Sequence, residues 1–109
     1  MSEHTTCRKI QITKPGGYDA LQTVTYDLPA VADNEVLIEV RACGVNYADG
    51  IIRMGLYASA KELHGYPITP GFELSGVVTA IGANVTDHAI GDEVLALTLF
   101  GGWCSHIVL

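Results

Sequence analysis

Hydrophobic and polar residues alternate in the first part of the chain, in two segments separated by a turn sequence. Ile10 and Ile12 alternate with polar neighbours in residues 7–13, and residues 21–27 repeat the pattern. Strict alternation is typical of a half-buried strand, and Pro15-Gly16-Gly17 between the two segments is typical of a turn. The sequence therefore predicts an antiparallel hairpin.

The clearest strand pattern runs from Glu35 to Val45. β-branched residues are frequent there and stand at every second position, as a half-buried strand requires. One face of the predicted strand carries Val36, Ile38 and Val40, and the other carries Leu37, Glu39 and Arg41.

A short helix is predicted directly after this strand, over residues 47–54. Asn46 is a residue type that caps helix N-termini, and Gly55 is the type that ends helices in a left-handed conformation. Asp49 follows Asn46 at the spacing of a capping box, with Asp in the usual place of Glu or Gln. A structural role as a cap therefore explains both residues without any catalysis.

The rest of the chain consists of apolar segments separated by glycines. Residues 57–70 are expected to form a loop, within which Ala58 to Leu63 can form a helical turn. Three further strands are predicted at Phe72–Ile81, Glu93–Leu99 and Trp103–Leu109. Short strands, glycine turns and one or two short helices indicate a mainly β barrel.

The composition indicates a single domain that exposes more apolar surface than is usual. A chain of 109 residues fits one hydrophobic core. Hydrophobic residues make up 49% and charged residues only 17%, where about a quarter is usual, so some apolar surface is expected to face a partner or missing chain. The last predicted strand ends at Leu109 without a turn, so we expect the domain to be incomplete at this end.

Charge and targeting signals exclude several classes of protein. The net charge is -6 and the six Lys and Arg residues form no basic run, so nucleic acid binding is disfavoured. Neither a secretory signal nor a segment of about 18 uninterrupted apolar residues is present, so we expect a cytoplasmic protein with no membrane span. Cys7, Cys43 and Cys104 are odd in number and far apart, which favours three reduced thiols. Cys43 and Cys104 are expected to pack as small apolar side chains.

Residues 71–85 carry the most specific motif of the chain. They follow the glycine framework of the zinc alcohol dehydrogenases, which runs Gly-His-Glu, two free positions, Gly, five free positions, a small residue, two more and an aliphatic. Every position fits except Phe72, which stands where the framework has histidine. The spacing of Gly71, Gly76 and Gly82 does not match a phosphate-binding Gly-x-Gly-x-x-Gly loop.

Further segments extend this resemblance over nearly the whole chain, in the same order. The chain resembles the N-terminal, GroES-like domain of the zinc-independent quinone oxidoreductases, a branch of the medium-chain dehydrogenase/reductase superfamily that includes zeta-crystallin and the vesicle amine transport protein homologues. Residues 1–109 correspond to this domain, incomplete at its C-terminal end, and the Rossmann domain is absent from them. The matching segments are residues 42–49, 53–57, 69–73 and 91–94.

The resemblance implies an NADPH-dependent, two-domain enzyme that reduces quinones or activated alkenes. In zinc-dependent relatives a cysteine takes the position of Asn46 and a histidine that of Phe72. Because an amide and a phenyl ring cannot replace thiolate and imidazole ligands, we expect no zinc and no other metal.

Chemistry without a metal needs hydrogen-bond donors where negative charge develops on oxygen. The resemblance places Asn46 and Tyr57 beside the nicotinamide and the substrate, as catalytic and cofactor-binding residues. Phe72 is expected to line the substrate pocket, with Tyr47 and Tyr66 as further aromatic faces.

Simpler roles remain open for several of these residues. Tyr57 can pack its ring under the following loop, and Glu73, if buried, needs a partner, for which Arg53 is the obvious candidate. Trp103 is most simply a core or domain-interface ring. The histidines lack the spacing of paired ligands or bases and are not expected to be catalytic: His4, His64, His88 and His106.

Two functional hypotheses follow. In the first, the chain is the substrate-side part of a reductase and is inactive alone, because the groups that bind most of the cofactor are missing. In the second, it is a free-standing interaction or assembly module that forms a homodimer through an exposed strand edge or apolar face.

Overall fold

A computed structural model describes residues 6–109, in which strands and short helices follow one another along the chain. His4 lies outside the described residues. A short 3-10 helix at Tyr18–Ala20 precedes the second strand. The other elements are β1 Thr6–Ile12, β2 Leu21–Asp27, β3 Val36–Cys43, α1 Tyr47–Arg53, α2 Ala58–Leu63, β4 Glu73–Ile81, β5 Glu93–Leu97 and β6 His106–Val108.

The predicted hairpin is confirmed. β1 and β2 pair antiparallel without a register shift, with Cys7 opposite Tyr26 and Ile12 opposite Leu21. Cys7 and Ile12, near the two ends of β1, are both fully buried, although their odd spacing places them on opposite faces of the strand. Ile12 belongs to the core cluster, so the end of β1 contacts the core.

The other four strands form one antiparallel sheet in the order β5-β4-β3-β6. β3 is the strand predicted from the alternating pattern, but its register with β4 shifts between Leu37 and Ile38. The extra residue at this shift is Thr79 of β4, so the alternation of β3 itself continues through Leu37 and Ile38. Both residues are nevertheless buried, at 4% and 2% exposed, so the prediction of a half-buried strand with one solvated face is wrong at this point.

The segment from Trp103 to Ser105 connects the two sheets. Ile10 N donates to Trp103 O (3.0 Å), Ser105 N to Arg8 O (2.7 Å), and Val40 N to Ser105 O (2.8 Å). Because these residues bond to both β1 and β3, the last regular strand begins only at His106, later than predicted. The resulting architecture is mainly β, as the sequence indicates.

Both short helices are confirmed. α1 begins after Asn46 and ends before Gly55, whose φ of +79° lies in the left-handed region that glycine favours. α2 occupies the predicted helical turn, Ala58–Leu63. None of the helices in the described chain is long and apolar enough to cross a membrane.

The helices and the hairpin meet in one cluster of buried side chains. Partly buried hydrophobic residues pack against this cluster, among them Tyr57, Tyr66 and Phe72. Three of the four aromatic side chains proposed for the site from the sequence thus touch the core. The buried members of the cluster are Ile12, Ile52, Ala60, Ile68 and Phe100.

Candidate functional site

Asn46 lies between the end of β3 and the start of α1. Its backbone is extended and it occupies the N-cap position, as predicted. Its backbone N–H donates to Asp49 Oδ2 (2.8 Å), and its side-chain Nδ2 donates to Glu73 Oε1 (3.3 Å). The Asn46 side chain is therefore exposed but held toward β4 by a carboxylate.

Asp49 accepts a second hydrogen bond that the capping-box spacing does not indicate. Its side chain is 1% exposed, and its second oxygen, Oδ1, accepts a hydrogen bond from Gly71 N (3.0 Å). One buried carboxylate thus joins the start of α1 to the loop that carries Phe72. The spacing from Asn46 reveals the first contact, but no local signal reveals the second.

Three aromatic rings form an aromatic wall, defined here as Tyr57, Phe72 and Phe100. The ring centroids lie 6.2 Å apart for Tyr57 and Phe72, 5.5 Å for Phe72 and Phe100, and 6.4 Å for Tyr57 and Phe100. Tilted and edge-to-face arrangements at these distances are favourable. The structure thus brings Tyr57 and Phe72 together and adds Phe100, which the sequence did not single out.

Phe100 is the one non-glycine residue with positive φ in the described chain, at +66°. A bulky residue in this conformation is strained and persists only where its surroundings hold it. Thr98 Oγ1 donates to Phe100 O (3.0 Å), and Gly101 N donates to Thr69 O (2.8 Å). These bonds fix the loop that places the Phe100 ring against the core.

The other two predicted pocket residues differ in their surroundings. Tyr66 is half-buried, its hydroxyl donates to Ile52 O, and burial raises the pKa of its phenol. Its hydroxyl is therefore already bonded to the backbone of α1. Tyr47 is the first residue of α1 and is 87% exposed, so its ring is open to solvent.

The predicted ion pair between Glu73 and Arg53 is wrong. Glu73 is exposed, so it needs no buried counterion, and it accepts from Asn46. Arg53 Nη1 donates to Gly16 O (2.7 Å), and its guanidinium lies 4.6 Å from the centroid of the Tyr18 ring. Arg53 therefore braces the β1–β2 turn against α1.

All three cysteines are free thiols, as predicted. Cys104 packs beside Tyr26, and burial is the main cause that raises its pKa to about 11, so it is a neutral thiol at neutral pH. Cys43 was expected to pack but is exposed. The reason is its position in β3, which at this end pairs with β4 but extends beyond β6.

The remaining predicted structural residues have defined places. Trp103 is half-buried and its Nε1 donates to Gly44 O (3.0 Å). His64 and His88 are exposed, and His106 is half-buried. Among residues 6–109, no three His, Cys, Asp or Glu side chains are grouped so that they can hold a metal ion.

A depression of about 630 Å³ adjoins the Asn46–Glu73 hydrogen bond. Glu73 lines it together with Cys43 and Gly44 from the end of β3 and Leu95 and Leu97 from β5. A carboxylate and apolar side chains thus line one concave surface, and this carboxylate accepts the hydrogen bond from the Asn46 amide. Such a combination orients a small molecule by a few polar contacts on an apolar wall.

Comparison with protein families identifies residues 32–108 as an alcohol dehydrogenase GroES-like domain. The chain is 42% identical over 105 residues to the synaptic vesicle membrane protein VAT-1 homolog of Danio rerio, covering 95% of this chain and 21% of that protein. It is 37% identical over 98 residues to a probable quinone oxidoreductase of Schizosaccharomyces pombe, covering 89% of this chain and 28% of that protein.

Solved structures show the same fold. Escherichia coli quinone oxidoreductase complexed with NADPH matches with a TM-score of 0.82 and 32% identity, over 96% of this chain and 31% of that one. The human synaptic vesicle membrane protein VAT-1 homolog-like protein matches with a TM-score of 0.86 and 31% identity, over 96% and 33%. The chain thus spans between a fifth and a third of the length of these relatives.

Proposed function

Because the chain belongs to the alcohol dehydrogenase GroES-like domain family, we propose that it is the substrate-side domain of an NADPH-dependent oxidoreductase that transfers hydride to a quinone or an activated alkene without zinc. The observation that carries this proposal is that Phe72 packs on Tyr57 in the aromatic wall while Glu73, the next residue of the chain, holds the Asn46 amide. Flat conjugated substrates fit a wall of aromatic rings with a polar group at its edge.

The donor set does not fit zinc. Asn46 offers a neutral amide that is already bonded to Glu73, and Phe72 offers only a ring that packs on Tyr57 and Phe100. Zinc sites use thiolate, imidazole and carboxylate ligands, so these two side chains do not replace the missing Cys and His. We therefore propose that hydrogen-bond donors stabilise the developing negative charge at this site without a zinc ion.

Asn46 is suited to donate to an oxygen that gains negative charge. An amide carries two N–H groups, and Glu73 accepts from one of them, which leaves the other for a ligand. Because Glu73 restricts the rotation of the amide, the second donor is held in place before a substrate binds. Tyr57 is half-buried and supplies a ring face and a hydroxyl at the same wall.

NADPH supplies the hydride when it is bound. Asn46 and Tyr57 fit one edge of such a group, since both are at least partly accessible and offer neutral hydrogen-bonding atoms. The related Escherichia coli quinone oxidoreductase was solved with NADPH, which supports the choice of cofactor. No Gly-x-Gly-x-x-Gly segment is present in the 109 residues to hold the pyrophosphate, so we propose that a second domain binds most of the cofactor.

The test is a chimaera in which residues 1–109 replace the matching part of the Escherichia coli quinone oxidoreductase. We expect the chimaera to oxidise NADPH with a quinone acceptor, measured by absorbance, and the isolated chain to show no measurable turnover. Replacing Asn46 by alanine in the chimaera is expected to lower kcat/KM about tenfold, because one neutral hydrogen bond is lost.

The matched control is Asn84→Ala, which removes an exposed amide in the turn after β4. It is expected to leave kcat/KM unchanged, and dialysis against a chelator is expected to leave all variants unchanged. Turnover by the isolated chain, activity lost with a chelator, or an Asn46→Ala chimaera as active as the parent would contradict the proposal.

A second candidate function rests on a different observation. β5 is an edge strand of the four-stranded sheet, and Leu95 and Leu97 on it are 87% and 83% exposed. An apolar edge strand invites pairing with another chain. The alternative proposal is a non-catalytic module that forms a homodimer through β5; in either function we propose a cytoplasmic location.

The alternative predicts that the isolated chain self-associates. We expect sedimentation velocity to show a dimer that forms with rising concentration, and the double variant Leu95→Lys with Leu97→Lys to remain monomeric, because lysines at an edge disfavour strand pairing. Leu63→Lys, on the exposed side of α2, is the control and is expected to dimerise like the parent. A monomeric parent at all concentrations would exclude this alternative.

A further inference from the structure

A second depression, of about 400 Å³, lies on the part of the surface formed by β1, β2, the end of α2 and β6; we name it the β1–β6 depression. It contains neither Asn46 nor Tyr57, and Phe100 is the one residue of the aromatic wall that lines it. Its polar lining residues are Lys9, Gln11, Tyr26, His64, Thr69 and His106.

The charge of the β1–β6 depression is opposite to that of the chain. Its lining contains a cationic side chain, Lys9 of β1, and two imidazole rings, those of His64 and His106. None of the described residues that line it is acidic, although the chain as a whole has a net charge of -6. A local excess of positive charge on an acidic chain favours an anionic ligand.

The positions of these groups are fixed by contacts with their neighbours. The Lys9 ammonium lies 5.1 Å from the centroid of the Tyr26 ring. His64 Nδ1 lies 2.7 Å from Gly65 O, which can only accept, so Nδ1 is the donor in this hydrogen bond. Ser105 Oγ lies 2.9 Å from His106 Nδ1 and fixes the second imidazole.

Apolar residues complete the lining. Ile68 and Phe100 are 1% and 4% exposed and belong to the core cluster. The strained Phe100 packs its ring edge-to-face with His64, at 5.9 Å between centroids. The depression thus combines a buried, apolar base with polar and cationic groups around it, at a volume that suits a small ligand.

From this arrangement we propose that the β1–β6 depression binds a small organic carboxylate, an anionic head on an aryl or short acyl body. Lys9 attracts the carboxylate, and His64, His106, Gln11 and Thr69 offer hydrogen bonds. The accessible apolar lining residues, Leu99 and Ile107, contact the apolar body. A neutral molecule of the same shape gains only the apolar contact, so charge decides the selectivity.

Two other ionisable side chains that line the depression are Tyr26 and Cys104. Burial is the main cause that raises the pKa of Tyr26 to about 12 and that of Cys104 to about 11, so both are neutral at neutral pH. Neither of them therefore adds a negative charge that would repel a carboxylate.

The test compares naphthoate with the neutral naphthamide, each titrated into the full chain and followed by NMR chemical shifts at neutral pH. We expect naphthoate to bind about fivefold more tightly than naphthamide. Lys9→Met is expected to remove most of the preference for naphthoate while naphthamide binds as before.

Lys14→Met is the matched control, since Lys14 lies in the exposed turn after β1 and does not line the depression. It is expected to keep the preference, and thermal unfolding checks that both variants fold. Equal binding of naphthoate and naphthamide, no binding of either, or the same loss in Lys14→Met and Lys9→Met would overturn the proposal. These outcomes are independent of turnover in the chimaera.

Discussion

Replacing Asp49 by alanine is expected to lower the free energy of unfolding by about 2–4 kcal/mol. The Asp49 side chain is 1% exposed and accepts hydrogen bonds from Asn46 N (2.8 Å) and Gly71 N (3.0 Å). Alanine leaves both N–H groups without this acceptor, and the buried Gly71 N–H loses most because water does not reach it readily. Urea denaturation followed by circular dichroism at neutral pH measures the change.

Two variants separate this effect from a general loss of charge. Asp87→Ala removes a carboxylate whose side chain is 82% exposed and is expected to change stability by less than about 0.5 kcal/mol. Asp49→Asn keeps one acceptor oxygen and is expected to fall between the parent and Asp49→Ala. A loss below about 1 kcal/mol in Asp49→Ala would show that the two hydrogen bonds do not hold α1 to the Phe72 loop.

Loss of the Asp49 carboxylate also affects the candidate site. Asp49 fixes both the residue that carries the polar donor, Asn46, and the loop that carries Phe72. When the carboxylate is lost, the amide and the aromatic wall are no longer held at a common point. Asp49 is therefore a positioning residue for this site, since it touches the backbone of its neighbours and not the wall itself.

The local elements of this fold were predictable from sequence because their signals are local. The β1–β2 hairpin follows from alternation around a Pro-Gly-Gly turn, and α1 follows from Asn46 at its start and Gly55 at its end. In each case the residues that decide the conformation lie within a few positions of one another. Propensity and pattern are sufficient under that condition.

The errors arose where distant segments decide the conformation. The register shift opposite Leu37 and Ile38 depends on β4, and the late start of β6 is set by bonds from residues 103–105 to β1 and β3. Arg53 contacts the β1–β2 turn, which lies 37 positions away in sequence. No window of sequence around these residues contains that information.

The candidate site was likewise predictable only where a local signal exists. Asn46, Tyr57 and Phe72 were proposed because a spaced motif marks their positions, and the structure places Tyr57 and Phe72 in one aromatic wall. Phe100 was missed because nothing near it distinguishes it from any other aromatic core residue. The Asp49–Gly71 bond was missed because the backbone N–H of a loop has no sequence signature.

Gly76→Ala is expected to lower the free energy of unfolding by about 3 kcal/mol, through overpacking in the middle of the four-stranded sheet. Gly76 is a buried residue of β4 opposite Val40. A Cβ there would lie 2.2 Å from Glu39 O and 2.7 Å from Ile38 Cγ2. Because Glu39 O belongs to the backbone of β3, the strands must separate to admit the methyl group.

Gly50→Ala is the matched control for that substitution. A Cβ at Gly50 meets nothing within 4 Å, and the residue lies inside α1, so alanine is expected to stabilise the chain by about 0.5–1 kcal/mol through helix propensity. The same substitution is thus expected to change the free energy of unfolding in opposite directions at the two glycines. Urea denaturation of both variants measures this difference. If Gly76→Ala were as stable as the parent, β3 and β4 would separate without a loss in the free energy of unfolding. The sheet would then be too flexible to hold Glu73, at the start of β4, against Asn46.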